Sequence, residues 1–169
     1  MREKYDGVLR GPMTTSLRLW LRLLSCTTII EKRLRRRFAE HFETTLPRFD
    51  VLAALDHHDG LTMGELSREI LVSNGNVTAV VRQLQRQLLV DVRASQADRR
   101  ISIVTLTADG RRHFAELATA YQQWVGELLD AIADDDQREL FDLLAEVKSS
   151  IETVEAEEAP AAAVAPARV

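Results

Sequence analysis

Residues 61–110 read LTMGELSREILVSNGNVTAVVRQLQRQLLVDVRASQADRRISIVTLTADG, and the spacing of their apolar residues changes once along this stretch. Up to about Leu89 the apolar residues recur every three or four positions, which is typical of amphipathic helices. From Val90 to Leu106 they alternate with polar residues, which is typical of strands, and a polar loop interrupts the alternation. The stretch therefore predicts two helices joined by a turn, followed by a hairpin with a charged tip.

The second of these helices is predicted to run from Asn74 to about Leu89, with Ser73 as its cap. Its inward face is apolar and consists of Val77, Val81, Leu84 and Leu88. The opposite face carries Thr78 and Arg82 together with Asn74, and such side chains can hydrogen-bond base edges or phosphates. The alternative interpretation is an ordinary solvated helix face.

The hairpin tip contains Asp98, Arg99 and Arg100 in succession. A tight turn does not require two adjacent arginines. A guanidinium suits the narrow minor groove of DNA, where negative potential is concentrated, and Asp98 can hold one of the two arginines in position. The alternative is a charged turn that serves only solubility.

The segments on either side predict long helices. A first helix is expected from Thr14 to about Phe42, and a short one begins at Pro47. Two more are expected at about 107–133 and 135–154. The fold class is therefore mainly α: a winged helix-turn-helix with a small β-hairpin wing and long terminal helices.

Composition limits the compartment and the partners. The single cysteine, Cys26, excludes an internal disulfide and indicates a reducing compartment, so we expect a cytoplasmic protein without a membrane span or a signal peptide. The net charge of −4 is uneven: Lys and Arg against Asp and Glu number 11 and 8 in residues 1–60, 8 and 5 in 61–112, and 3 and 13 in 113–169. An acidic chain with basic segments can still bind a polyanion, because screening confines the field.

Residues 61–110 resemble the DNA-binding core of the MarR family of bacterial regulators, through Asp98-Arg99-Arg100 in the wing and the closing Leu106-Thr107-x-x-Gly110. The resemblance implies a domain over 14–154, with a DNA-binding core at 47–107 and dimerisation helices at 14–42 and 107–154. An N-terminal arm, 1–13, precedes the domain, and the low-complexity tail, 155–169, is expected to be disordered.

The resemblance further implies a homodimer that binds a pseudo-palindromic double-stranded DNA operator and responds to a small-molecule effector. The side chains expected to contact DNA are Ser73, Asn74, Asn76, Thr78, Arg82, Asp98, Arg99 and Arg100. No catalytic motif, metal-ligand spacing or cofactor motif is present, so an enzyme is not expected.

The stretch MGELSREILVSNGNVTAVV is similar to a narrower branch of the family, which regulates catabolism of aromatic compounds and responds to aromatic acids or their coenzyme A thioesters. The family pocket lies between the dimerisation helices and the DNA-binding lobe. The residues expected there are Trp20, Arg22, Ser25, Cys26, His41 and Arg48.

Three of these expectations have alternatives. Trp20 is more often a core or interface residue than a ligand platform. Cys26 favours a buried structural thiol, with a redox-sensing repressor as the alternative. The basic run 32–37 is compatible with coenzyme A phosphates, with DNA or with a solvated face.

Overall fold

The protein is described here from a computed structural model, which covers residues 13–70, 77–95 and 98–162, with side chains as far as Val154. Its elements are α1 (Thr15–Phe42), α2 (Leu46–Asp56), β1 (Leu61–Thr62), α3 (Met63–Glu69), α4 (Val77–Arg86), β2 (Val90–Ala94), β3 (Ser102–Leu106), α5 (Ala108–Leu129) and α6 (Asp134–Ala162). This mainly helical winged helix-turn-helix confirms the predicted fold class. None of the helices in the described part of the chain combines the length and apolar character that a bilayer crossing requires.

The chain divides into two compact units, Met1–Gly126 and Glu127–Val169. The first contains the sheet and the buried core, and the second contains α6. The predicted domain, 14–154, includes parts of both units.

The wing is a three-stranded antiparallel sheet in the order β1-β3-β2. β2 and β3 form the predicted hairpin, in which Val90 lies opposite Leu106 and Ala94 lies opposite Ser102. β1 was not predicted, because a strand of two residues is too short to show an alternating pattern. It pairs Leu61 with Val104 and so attaches the helix-turn-helix to the hairpin.

A cluster of aromatic rings joins α1, α2 and α5. Phe38 of α1 is fully buried, and its ring centroid lies 5.0 Å from that of Phe49 in α2 and 5.2 Å from that of Trp124 in α5. Phe49 also stacks on Tyr121 at 4.7 Å. Such pairs contribute roughly 0.5–1.5 kcal/mol each beyond the area that they bury, so this cluster fixes the three helices against one another.

The end of α4 differs from the prediction. Val77, Val81 and Leu84 are buried as expected, but Leu88 is 71% exposed and has a left-handed φ of 61°. The helix closes with a Schellman motif, in which Leu89 N donates to Leu84 O at 3.0 Å and Leu88 N donates to Gln85 O at 2.9 Å. The left-handed turn rotates Leu88 off the apolar face, so the predicted inward role of Leu88 is wrong.

Thr107 and Gly110 lock this corner to α5. The Thr107 hydroxyl donates to Leu88 O at 2.7 Å and accepts from Gly110 N at 2.9 Å, so it caps α5 while it holds the chain leaving α4. A Cβ on Gly110 would lie 2.0 Å from Leu89 O. The Leu-Thr-x-x-Gly pattern therefore reflects a close approach of two backbones.

The first half of α1 is exposed in the protomer. Leu19, Trp20 and Ile29 are each more than half exposed, and Cys26 is exposed as well. The predictions that Cys26 is buried and that Trp20 is a core residue are therefore wrong for the single chain, because a helix that is apolar nearly all round has no neighbour on this side within one protomer.

α6 exposes a regular apolar stripe and continues beyond its predicted end at Val154. The stripe consists of Leu140, Leu144, Val147, Ile151 and Val154. The backbone is helical to Ala162, so residues 155–162 are helical where we expected a disordered tail. Glu and Ala dominate this stretch and have high helix propensity.

Asp50 of α2 carries a buried carboxylate oxygen. Its Oδ2 has no hydrogen-bond partner within the described residues. Burial raises the pKa of Asp50 to about 6, Arg35 opposes this rise, and Glu31 adds to it. Burial also raises the pKa of Tyr121, and the charge of Asp50 contributes to that rise. The ionised form of Asp50 is therefore held in an unfavourable place.

We expect Gly110→Ala to lower the stability of the protein by about 3 kcal/mol, because the added methyl group meets a backbone carbonyl that cannot move aside cheaply. Thermal unfolding at a fixed protein concentration should show a Tm lower by about 10 °C. Gly64→Ala is the matched control, since Gly64 also lies in the first turn of a helix but faces open space. An unchanged or higher Tm for Gly110→Ala would contradict the close approach.

We expect Asp50→Asn to stabilise the protein more at pH 7.5 than at pH 4.5. An unfolded Asp titrates near pH 4 and the folded one at about 6, so the folded state binds more protons between these values and its stability falls as the pH rises through this window. Asn carries no charge and escapes this loss. The Tm gain should reflect on the order of 1 kcal/mol, allowing for solvent screening, and an equal gain at both pH values would contradict the assignment.

Candidate nucleic-acid interface

The exposed face of α4 carries the predicted polar groups. Thr78 and Arg82 are exposed, on the side of the helix away from the buried Val77 and Val81. The other predicted groups of this helix, Ser73, Asn74 and Asn76, lie outside the described residues and stay predictions. Because α4 packs its apolar side into the core, its free side is available to enter a DNA groove.

The wing tip holds one arginine by a short network around Asp98. Asp98 Oδ1 accepts from Arg100 N at 2.9 Å and lies 3.4 Å from Arg100 Nε. Ile101 N donates to Asp98 O at 2.9 Å, which closes the turn. The Arg100 side chain is 93% exposed, and Arg99 is exposed next to it. Asp98 therefore orients the backbone and guanidinium of Arg100 while leaving the cation open to a partner.

A second steered arginine lies on β2 and was missed at the sequence level. Arg93 Nε donates to Asp91 Oδ2 at 2.6 Å, and the Arg93 side chain is 81% exposed. Residues two apart on a strand share a face, so the Asp-x-Arg spacing of Asp91 and Arg93 was the available signal. The hairpin thus carries two Asp-x-Arg pairs, one on a strand and one at the tip.

A surface pocket of about 410 Å³ lies behind the end of α4. It is lined by Phe42, Glu43, Thr44, Arg48, Gln87, Leu89 and His113. Arg48 is the one residue of the predicted effector set on this lining. Its Nη2 donates to Gln87 Oε1, and its Nε is buried without a hydrogen-bond partner in the described part of the chain. Burial lowers the pKa of Arg48.

The other members of the predicted effector set are spread along α1. Trp20, Arg22, Ser25 and Cys26 precede His41 on this helix, and at 1.5 Å per residue even Cys26 lies about 22 Å from His41. One pocket within one protomer therefore cannot be lined by all six residues. His41 instead contacts Trp124, with ring centroids 5.7 Å apart.

The basic run 32–37 is divided between several roles. Arg35 pairs with Glu31, Arg36 Nε lies 3.7 Å from Glu40 Oε1, and the Arg37 guanidinium lies 5.7 Å from the centroid of the Trp124 ring. Lys32, Arg33 and Arg36 border a shallow depression beside Ile29. In the described residues, no group of His, Cys, Asp and Glu side chains has the arrangement of a metal site.

Comparison with known proteins identifies the family. The MarR family model matches residues 43–101, which cover the helix-turn-helix and most of the wing. The chain is 30% identical over 128 residues to the transcriptional activatory protein BadR of Rhodopseudomonas palustris, a match that covers 73% of each chain. It is 28% identical over 109 residues to YdgJ, an uncharacterized HTH-type transcriptional regulator of Bacillus subtilis, and spans 66% of that protein's length.

A solved structure agrees with this match. The crystal structure of a MarR family transcriptional regulator from Silicibacter pomeroyi superposes with a TM-score of 0.70 at 31% identity, covering 80% of this chain and 94% of that one. The relatives are named as transcriptional regulators rather than enzymes. The winged helix-turn-helix, the Asp98-held wing arginine and these similarities together show that the chain belongs to the MarR family of transcriptional regulators.

Proposed function

We propose that this protein is a homodimeric repressor of genes for aromatic-compound catabolism, released from its operator by an aromatic acid or an aromatic acyl-coenzyme A thioester. The observation that carries the proposal is the pairing of two exposed DNA-facing features in one folded unit. These are the polar face of α4, with Thr78 and Arg82, and the wing tip, where Asp98 holds Arg100.

The exposed apolar surfaces support a dimer. The stripe on α6 recurs at alternate spacings of four and three residues, which is the pattern of a helix seam that packs against another helix. The first half of α1 adds Leu19, Trp20 and Ile29. Monomeric proteins rarely leave such contiguous apolar surfaces in water, so a second copy of the chain is the partner that we propose for both.

Dimerisation gives the DNA-binding elements their geometry. Two copies of α4 related by two-fold symmetry can occupy successive major grooves about 34 Å apart, while the two wings reach the flanking minor grooves. Residues 61–112, which supply these elements, carry 8 Lys and Arg against 5 Asp and Glu. Phosphate contacts by this basic segment are therefore compatible with an acidic chain as a whole.

The pocket behind α4 supports control by an acid. It combines a partly buried guanidinium, Arg48, with the apolar side chains Phe42 and Leu89, and an aromatic carboxylate needs this combination of groups. The cations around the depression on α1 are the groups that we assign to a thioester's phosphates. Repression follows from an operator covered by the dimer. The relative BadR is named as an activatory protein, so the sign of regulation needs its own reporter assay.

The test begins with selection of binding sites from a random duplex library by the full chain. We expect a two-fold-symmetric site whose half-site centres lie about 10 base pairs apart. Fluorescence anisotropy on this site should then show weaker binding when aromatic acids or their thioesters are added. An asymmetric consensus would contradict the dimeric operator, and an affinity that none of these compounds changes would contradict control by an acid.

We expect Arg100→Ala to weaken binding to the selected site and to reduce the dependence of log K on log salt by about one, because one cation fewer engages the DNA. Anisotropy titrations over a salt series measure both quantities. Arg138→Ala on α6 is the charge-matched control, since Arg138 is also an exposed arginine beside an aspartate. Equal affinity and an equal salt slope for Arg100→Ala and the unmodified protein would remove the wing from the interface.

A further inference from the structure

The pocket behind α4 lies where four segments meet. The end of α1 supplies Phe42, and the chain after it supplies Glu43 and Thr44. The first turn of α2 supplies Arg48, and the corner after α4 supplies Gln87 and Leu89, while His113 comes from the start of α5. A ligand bound here would contact the corner at which α4 ends and the helices that hold it.

Arg48 is bonded to that corner through a single side chain. Its Nη2 donates to Gln87 Oε1, across 39 positions of sequence, while its buried Nε is unsatisfied within the described residues. A neutral amide oxygen is a modest partner for a guanidinium. A carboxylate accepts two parallel hydrogen bonds from the same fork and adds opposite charge. A carboxylate in the pocket is therefore the better partner for Arg48.

Gln87 lies at the point where α4 hands over to the wing. It directly precedes Leu88, the left-handed residue of the Schellman motif, and Gln87 N donates to Gln83 O at 3.2 Å. Loss of the Arg48 bond would leave the side chain of Gln87 without this tether to α2. The end of the DNA-facing helix would then be less constrained relative to α2.

Resting on the proposed function, we propose that an aromatic monocarboxylate binds in this pocket by displacing Gln87 from Arg48, and that this exchange releases the C-terminal end of α4. Phe42 and Leu89 supply apolar contacts for the ring, and the fork of Arg48 takes the carboxylate. The ligand and Gln87 thus compete for one guanidinium.

Glu43 limits the charge of the ligand. It lies on the same lining as Arg48, and a second carboxylate on the ligand would face repulsion from it. The pocket should therefore accept benzoate and discriminate against isophthalate, which carries a carboxylate at each end of a similar ring. Glu43→Gln should reduce that discrimination and leave the benzoate affinity near its original value.

The experiment measures benzoate binding to the full chain by calorimetry, without DNA. Gln87→Met removes the competing acceptor at similar length, so it should bind benzoate roughly tenfold more tightly, since a hydrogen bond to a charged group no longer has to be broken. Gln85→Met is the matched control, because Gln85 is exposed on α4 outside the pocket lining, and it should bind like the unmodified protein. Arg48→Gln should weaken binding at least tenfold.

Three outcomes would overturn the inference: no benzoate binding by the unmodified protein, an unchanged or weaker affinity in Gln87→Met, or an unchanged affinity in Arg48→Gln. If Arg48→Gln does not fold, as judged by its thermal unfolding, the Gln87→Met comparison decides. If acids release the selected operator but these variants bind benzoate like the unmodified protein, the proposed function stands and this inference fails. If benzoate follows the expected pattern but never affects operator binding, the pocket stands and the proposed control by acids fails.

Discussion

The stacking of Phe38 on its aromatic neighbours is the contact on which the rest of the structure depends. This one ring is fully buried and touches Phe49 on α2 and Trp124 on α5, so it connects the helices that frame the molecule to the helix that begins the DNA-facing lobe. Interiors pack as densely as organic crystals and transmit small displacements. The positions of α4 and the wing therefore follow from how these rings are seated.

Two kinds of surface remain exposed around this core, and their chemistry differs. The free side of α4 and the wing tip carry hydroxyl and guanidinium groups, and water solvates these at little cost. The exposed side chains of α1 and α6 are largely apolar, and water does not solvate them favourably. The first kind of surface is suited to the charged, hydrated surface of DNA, and the second is suited to another copy of the chain.

The corner between α4 and the wing connects recognition to control. The hydroxyl of Thr107 and the bare backbone of Gly110 hold it from one side, and the guanidinium of Arg48 holds it through Gln87 from another. The first attachment is intramolecular and permanent. The second uses a group for which an anionic ligand can compete, so the same corner combines a fixed anchor with an exchangeable one.

Local patterns were sufficient for much of the molecule. The change of apolar period at Val90 predicts the helix-to-hairpin order, and Thr62 with Glu65 forms the capping box that begins α3, because caps and periodicities involve residues only a few positions apart. The adjacency of Asp98 to the two arginines likewise indicated which carboxylate steers the wing.

Contacts between distant positions could not be inferred in this way. The pairing of β1 with β3, the outward rotation of Leu88 and the bond from Arg48 to Gln87 each depend on segments brought together by folding. For the same reason the sequence grouped six effector residues that one protomer holds apart, since a list of suitable side chains does not contain the distances between them. Periodicity reports which face of an element is buried, and only packing determines what that face meets.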